Sequence, residues 1–211
     1  MGLTMTDGDL INKFLTGPDT AEGTNAFNTL VWRWEKTMYN FILRYLGKRE
    51  EARDLTQQVF IKVYRNLTRL KDRERFSAWI YQIAANLCRD VIKQKRRNRA
   101  YSLESLQESG ALDEAAHPAL TLLPEAALHP DRVVSRNELR DILEKALQEI
   151  PEEQRVVVIM KEYQGLKFTE IAEALGVSVN TIKSRMYYGL SALKKILAQW
   201  QIDEEAMLYD V

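Results

Sequence analysis

The run Phe168-Thr-Glu-Ile-Ala-Glu-Ala-Leu-Gly-Val-Ser-Val-Asn-Thr-Ile-Lys-Ser-Arg185 brings together side chains that a helix uses to read duplex DNA. Asn180, Thr181, Lys183, Ser184 and Arg185 fall on the outward face of its second half. There, amide, hydroxyl and cationic groups can meet base edges and phosphates in a major groove. What precedes them is the corner such a helix needs. Ile171, Ala172 and Leu175 give the first half an apolar face, and small Ala172 lets a second helix approach closely. Gly176 can take the positive φ of a sharp turn, and Ser178 can cap the next helix. Val177 and Ile182 plug the angle between the two. An ordinary helical corner with a polar surface does not require all of these features at once.

A second cluster suits unpaired nucleic acid. Phe76, Trp79 and Tyr81 open a long apolar-periodic stretch that ends in Arg89, Lys93, Lys95, Arg96, Arg97 and Arg99. Aromatic rings stack on unpaired bases and the basic end engages phosphates; Trp79 taken by itself reads equally well as core. A third group, Asp54, Gln57, Gln58 and Lys62, shares the polar face of an otherwise apolar helix, a pattern that alone indicates only amphipathicity.

Catalytic chemistry finds no comparable support. There is no Gly-rich phosphate loop, no nucleophile–base arrangement and no metal-ligand spacing. Cys88 is the single cysteine, which excludes an intramolecular disulfide and reads as a small buried apolar residue. His117 and His129 lie in a proline-containing stretch without a ligand partner nearby. The expectation is a non-catalytic protein with no cofactor and no metal.

The elements that must position these groups are helical. Phe27, Leu30, Val31 and Trp34, then Met38, Phe41, Ile42 and Tyr45, recur at helical spacing up to Gly47. Leu55, Val59, Phe60, Val63 and Tyr64 predict a second helix over 50–67, and residues 76–97 a third, after a charged break at 68–75. In the other half, helices are predicted over 133–150, from Pro151 to about residue 163, over 168–175 and over 179–200. No β-alternating stretch of useful length intervenes. The fold class expected is all-α: an N-terminal segment (1–22), a helical domain (23–99), a Pro- and Glu-containing linker (100–131), a helix-turn-helix domain (132–200) and an acidic tail (201–211).

Charge divides the same way. Lys plus Arg equals Asp plus Glu at 30 each, yet residues 25–99 carry 18 basic and 7 acidic side chains. Residues 100–131 carry 6 acidic and none basic, and residues 132–199 carry 11 basic against 9 acidic. A neutral total thus hides a cationic domain beside an anionic connector, an asymmetry that points to a polyanionic partner. No stretch approaches the roughly 18 apolar residues of a membrane span, and the N-terminus lacks a secretory pattern, so a cytoplasmic protein without membrane insertion is expected.

In order, these segments resemble the extracytoplasmic-function sigma factors, the smallest members of the sigma-70 family. Asp54-Leu-Thr-Gln-Gln-Val-Phe60 resembles region 2.2, and Phe76-Ser-Ala-Trp-Ile-Tyr-Gln-Ile-Ala-Ala-Asn-Leu-Cys-Arg-Asp90 resembles regions 2.3 and 2.4. Residues 147–197, with Ile150-Pro-Glu-Glu-Gln-Arg155 and the helix-turn-helix, resemble region 4. The resemblance implies a subunit that directs core RNA polymerase to promoters. Asp54, Gln57, Gln58, Phe60 and Lys62 would dock on the β′ clamp helices, and region 4 would meet the β flap. Arg69, Lys71, Asp72 and Arg73, in the loop that captures a flipped −10 base, would work with Trp79, Asn86, Arg89, Arg96 and Arg97 on the melting strand. Lys161, Ser178, Asn180, Thr181, Lys183, Ser184, Arg185 and Tyr187 would serve the −35 duplex. The linker would thread toward the RNA exit path, and an anti-sigma factor would be the expected regulator. Tyr188, Gly189 and Leu190 stand where the family often has further arginines, which leaves the −35 sequence open. A two-component-type regulator, the main competitor, would need a receiver or ligand-binding domain ahead of the tail, and the first block has neither alternating strands and helices nor an acidic phosphoacceptor pocket.

Overall fold

The computed structural model describes residues 5–108 and 136–200, and among these every regular element is helical. Helix α1 (Asp7–Thr16) starts at Thr6, whose hydroxyl accepts from Asp9 N while Asp9 Oδ2 accepts from Thr6 N, a reciprocal cap. It falls in the segment that sequence periodicity leaves without an element. Asp7 anchors it by pairing with Arg33 and accepting from the Trp34 indole Nε1 at 2.9 Å. Leu10, Ile11 and Phe14 are its buried face.

Helix α2 (Ala21–Leu46) ends at Gly47, left-handed at φ 73°, a conformation that costs glycine nothing. Helix α3 (Arg49–Asn66) follows, then two short 3₁₀ turns at Leu67–Arg69 and Arg73–Arg75, and then α4 (Phe76–Glu108). Met38, Phe41, Ile42 and Tyr45 of α2 pack with Ala52, Val59 and Val63 of α3 and with Ile80 and Ala84 of α4, all of them sealed from solvent. Phe14 and Phe27 join Tyr64 in a ring trio, with centroids 5.1–5.3 Å apart. Helix α4 runs past residue 99, into the stretch assigned to the linker. The rest of that stretch and the acidic tail lie outside the described residues.

The second block comprises α5 (Arg136–Glu149), α6 (Glu152–Val158), α7 (Phe168–Leu175) and α8 (Val179–Gln199). A π-helical turn, Ile159–Tyr163, extends α6. Pro151 opens α6, where its missing N–H is no loss. Val156 to Met160 are buried. Their side chains do not close a separate core: they join one apolar cluster with Tyr45, Phe41 and Tyr81 of the first block. A small satellite of Ile142, Ala146 and Leu197 ties α5 to the end of α8.

Candidate nucleic-acid interface

In the helix-turn-helix, Gly176 sits at φ 67° with open space where a Cβ would be, so backbone conformation and not crowding calls for glycine. Ser178 caps α8: its Oγ accepts from Thr181 N at 3.1 Å and lies 2.8 Å from Thr181 Oγ1. Both hydroxyls are therefore engaged with each other. Ile182 and Met186 are buried, and Gly189 lies where a Cβ would come within 2.8 Å of Val158 Cγ2, so α6 and α8 meet at close range. In the first half of α8, Asn180, Lys183, Ser184, Tyr187 and Tyr188 face solvent, and Leu190 and Ser191 continue the exposed side. The Tyr187 and Tyr188 rings stand edge to face with centroids 5.6 Å apart. Arg185 departs from the expected outward role: it is half-buried and ion-paired with Glu153 of α6. Lys161, also half-buried, holds its ammonium 5.1 Å from the Phe168 ring, at the entry to α7.

The second site is a cleft of about 300 Å³ beside the two 3₁₀ turns, lined by Arg69, Leu70, Lys71, Asp72, Arg75, Ala78, Trp79, Gln82 and Glu173. Arg69, Lys71 and Asp72 are exposed at its mouth. Trp79 is half-buried, its ring tilted against Phe76 with centroids 6.1 Å apart, so it is at once part of the packing and a wall of the cleft. Asp72 shapes the loop by accepting from Glu74 N and Arg75 Nε, each at 3.1 Å. Arg73 turns inward: Nη1 donates to the Leu70 and Lys71 carbonyls, which makes it a brace of the loop and not a free cation at its surface. Helix α1 supports the same loop, with Gly8 against the Arg73 Cβ.

Along α4 the exposed Asn86 and Arg89 are joined, Asn86 Oδ1 accepting from Arg89 Nη1 at 2.8 Å. Arg97 is exposed with Lys93 and Arg99, while Lys95 pairs with Glu51 and Arg96 lies 3.7 Å from Glu152. The cationic stripe expected from the sequence is therefore continuous with the cleft on one helix, with two of its members partly neutralised.

On α3, Asp54, Gln57, Gln58 and Lys62 are exposed together. Phe60 is not: at 9% exposure it belongs to the core, beneath the face on which it was expected. Three apolar side chains are exposed on α2 and α3 instead. Ile61 (50% exposed) and Tyr64 (48%) follow Gln57 along α3, and Trp32 on α2 is 85% exposed. Trp32 was legible in principle. It stands two residues from Trp34, about 200° around a helix, so both cannot face the core.

Among the described residues no group of three or more His, Cys, Asp or Glu could hold a metal, and no helix is long and apolar enough to cross a membrane. Burial pushes the Cys88 thiol well up, so it stays protonated and inert.

Residues 30–98 match the family described as sigma-70 region 2, and residues 140–193 the family described as sigma-70, region 4. The ECF RNA polymerase sigma factor SigW of Bacillus subtilis is 32% identical over 173 residues, 82% of this chain and 89% of that protein. The ECF RNA polymerase sigma-E factor of Escherichia coli K12 is 29% identical over 199 residues, 92% of this chain and 95% of its own. Among solved structures, CnrH in complex with the cytosolic domain of CnrY superimposes with a TM-score of 0.62 at 20% identity, covering 92% of this chain and 97% of that one. RpoE from Bartonella quintana, in complex with the anti-sigma factor NepR, gives 0.55 at 21% identity, covering 82% and 96%. Both regions are present in order on an all-helical fold, and the chain belongs to the sigma-70 family as an extracytoplasmic-function RNA polymerase sigma factor.

Proposed function

We propose that the chain docks on core RNA polymerase through the α2–α3 face, reads the −35 duplex with α8 and captures an unpaired −10 base in the cleft beside Trp79. The observation that carries this reading is the cleft itself: exposed cations, a half-buried indole and a loop braced by Arg73, at the head of a basic helix. An aromatic wall with flanking cations suits a base lifted out of its stack. Asp54, Gln57, Gln58 and Lys62 form the polar part of the docking face, with Ile61 and Trp32 as apolar anchors and Phe60 as the packing beneath them. Lys183, Ser184, Asn180 and Tyr187 read bases, while Ser178, Thr181, Arg185 and Lys161 set the pose of α8 and α7. The −10 strand runs from Arg69 and Lys71 past Asn86 and Arg89 to Arg97. The protein is a non-catalytic initiation subunit that works in the cytoplasm, where polymerase is.

Regulation by an anti-sigma factor fits the two structural neighbours, each solved with a protein bound to it. The test is run-off transcription with purified core polymerase on the upstream region of the chain's own gene. A defined transcript that requires this protein is expected. Core binding without any promoter-specific transcript would leave only a polymerase-binding regulator.

A further inference from the structure

Helix α1 lies ahead of the residues that match region 2, attached to the core by Leu10, Ile11 and Phe14. It also packs against both 3₁₀ turns of the base-capture loop. That loop has little else to hold it. Within residues 68–75 Leu70 is the one buried side chain. The Arg75–Glu173 pair, 2.8 Å across to α7, is exposed and contributes little. Segments so short of buried contacts open locally at small cost. Two routes lead from α1 toward the cleft. In the first, a Cβ added to Gly8 would lie 3.4 Å from the Arg73 Cβ and 3.7 Å from Thr6 Oγ1, so the α1 backbone backs directly on the stem of Arg73. Arg73 Nη1 in turn donates to the Leu70 carbonyl and, at 2.8 Å, to the Lys71 carbonyl. In the second, Asp7 pairs with Arg33 and accepts from Trp34 Nε1 at 2.9 Å, while Arg33 Nη2 donates to the Met5 carbonyl at 2.8 Å. The Trp34 ring stands edge to face with Phe76, centroids 5.6 Å apart, and Phe76 is the ring against which Trp79 rests.

We propose that α1 is a positioning element for base capture, with Asp7 and Gly8 the positioning residues through which it sets the loop and Trp79. This rests on the reading of the cleft given under Proposed function. Neither residue lines the cleft. Asp7 fixes the Trp34 indole, and with it the aromatic row that ends at the cleft wall. Gly8 fixes the stem of Arg73, and with it the Leu70 and Lys71 carbonyls that Arg73 holds. A base lifted from its stack gains from a wall and a loop already in place, because ordering them at the moment of capture lowers affinity. The polar face of α3 and the outer face of α8 take no part in either route, so polymerase docking and duplex reading do not depend on α1.

The test uses full-length protein, core polymerase and the promoter found by run-off transcription, with 2-aminopurine in the −10 element to follow strand opening. Asp7→Ala should leave affinity for core polymerase and for a −35 duplex unchanged. It should slow opening by on the order of ten-fold at most, the full loss of one charge-assisted bond. Asp7→Asn, which keeps an oxygen for the Trp34 indole, should recover part of that rate. A pre-melted −10 bubble should restore Asp7→Ala. A smaller folded fraction could not be restored in this way, since it lowers output from both templates alike. Gly8→Leu keeps Asp7 and pushes on the Arg73 stem, and should slow opening with the same rescue, so the brace stays testable even if Asp7→Ala does not fold. Opening at the wild-type rate in both folded variants, or a loss in a folded variant that the bubble does not restore, overturns the role of α1. Trp79→Ala runs beside them. Slow opening there with normal opening in both α1 variants sinks the brace alone, whereas normal opening in Trp79→Ala as well removes the reading of the cleft itself.

Discussion

Phe60 and Gln57 lie one turn apart on α3, and burial decides what each can do. Phe60 is packed among core side chains, whereas Gln57, with Asp54 and Gln58, is in water. Replacing Asp54 and Gln58 together by Ala should lower affinity for core polymerase and leave the melting temperature nearly unmoved, because exposed polar changes cost little stability. Phe60→Ala should instead cost about 3–5 kcal/mol of folding stability. Thermal melting and anisotropy titration with labelled core enzyme separate the two outcomes, and a melting drop in the double variant would remove the docking assignment. Lys183 and Arg185, both cations on α8, divide in a similar way. Lys183→Ala should shift which −35 base is preferred, at about 1–3 kcal/mol for a lost direct contact. Arg185→Ala should loosen α8 from α6 by breaking the pair with Glu153 and weaken binding across all −35 sequences alike. Binding measured against a panel of −35 variants distinguishes a changed preference from a uniform loss.

At the scale of elements, the helices were readable because each carries its own period and its own punctuation. Gly47, Pro151, Gly176 and Ser178 stop or start helices through local backbone chemistry, and the observed bounds follow them. Helix α1 was missed because ten residues offer too short a period, and its cap at Thr6 needs the reciprocal Asp9 to stand out. Arg73 and Arg185 were misplaced for a different reason. A sequence shows where a cation sits on a helix or loop, but not whether a carbonyl or a carboxylate has already captured it. The contact of α7 with the cleft was out of reach for the same cause, since Glu173 and Arg75 are distant in sequence and share no pattern. Packing between elements supplies its own prediction at Gly189. Alanine in mid-helix normally gains up to about 1 kcal/mol over glycine, but here its Cβ would meet Val158 Cγ2 at 2.8 Å. Val158 is buried and β-branched, so it cannot swing aside cheaply. Gly189→Ala should therefore destabilise by about 1–3 kcal/mol, as overpacking does, and push α8 away from α6. Chemical denaturation checks the sign: a stabilised variant would mean that α6 and α8 can part without loss.

The whole molecule joins the two proposed DNA-reading surfaces through one apolar core, and each would work by different physics. On α8, the proposed recognition acts on intact duplex, so a lost contact would reduce affinity before any strand separates. In the proposed role of the Trp79 cleft, a base is bound only after it has left the stack, and capture must offset an unstacking cost of about a few kcal/mol. Lys71→Ala and Trp79→Ala should accordingly leave the closed promoter complex nearly normal but slow strand opening. A template carrying a pre-melted −10 bubble should restore their transcription, because the opening cost is already met. Lys183→Ala and Tyr187→Ala should show the reverse, with weak closed complexes and no rescue by the bubble. Run-off transcription from matched duplex and bubble templates measures both classes together. Equal rescue of the cleft and recognition-helix variants would show that melting and duplex reading are not divided between the two blocks as their exposed surfaces indicate.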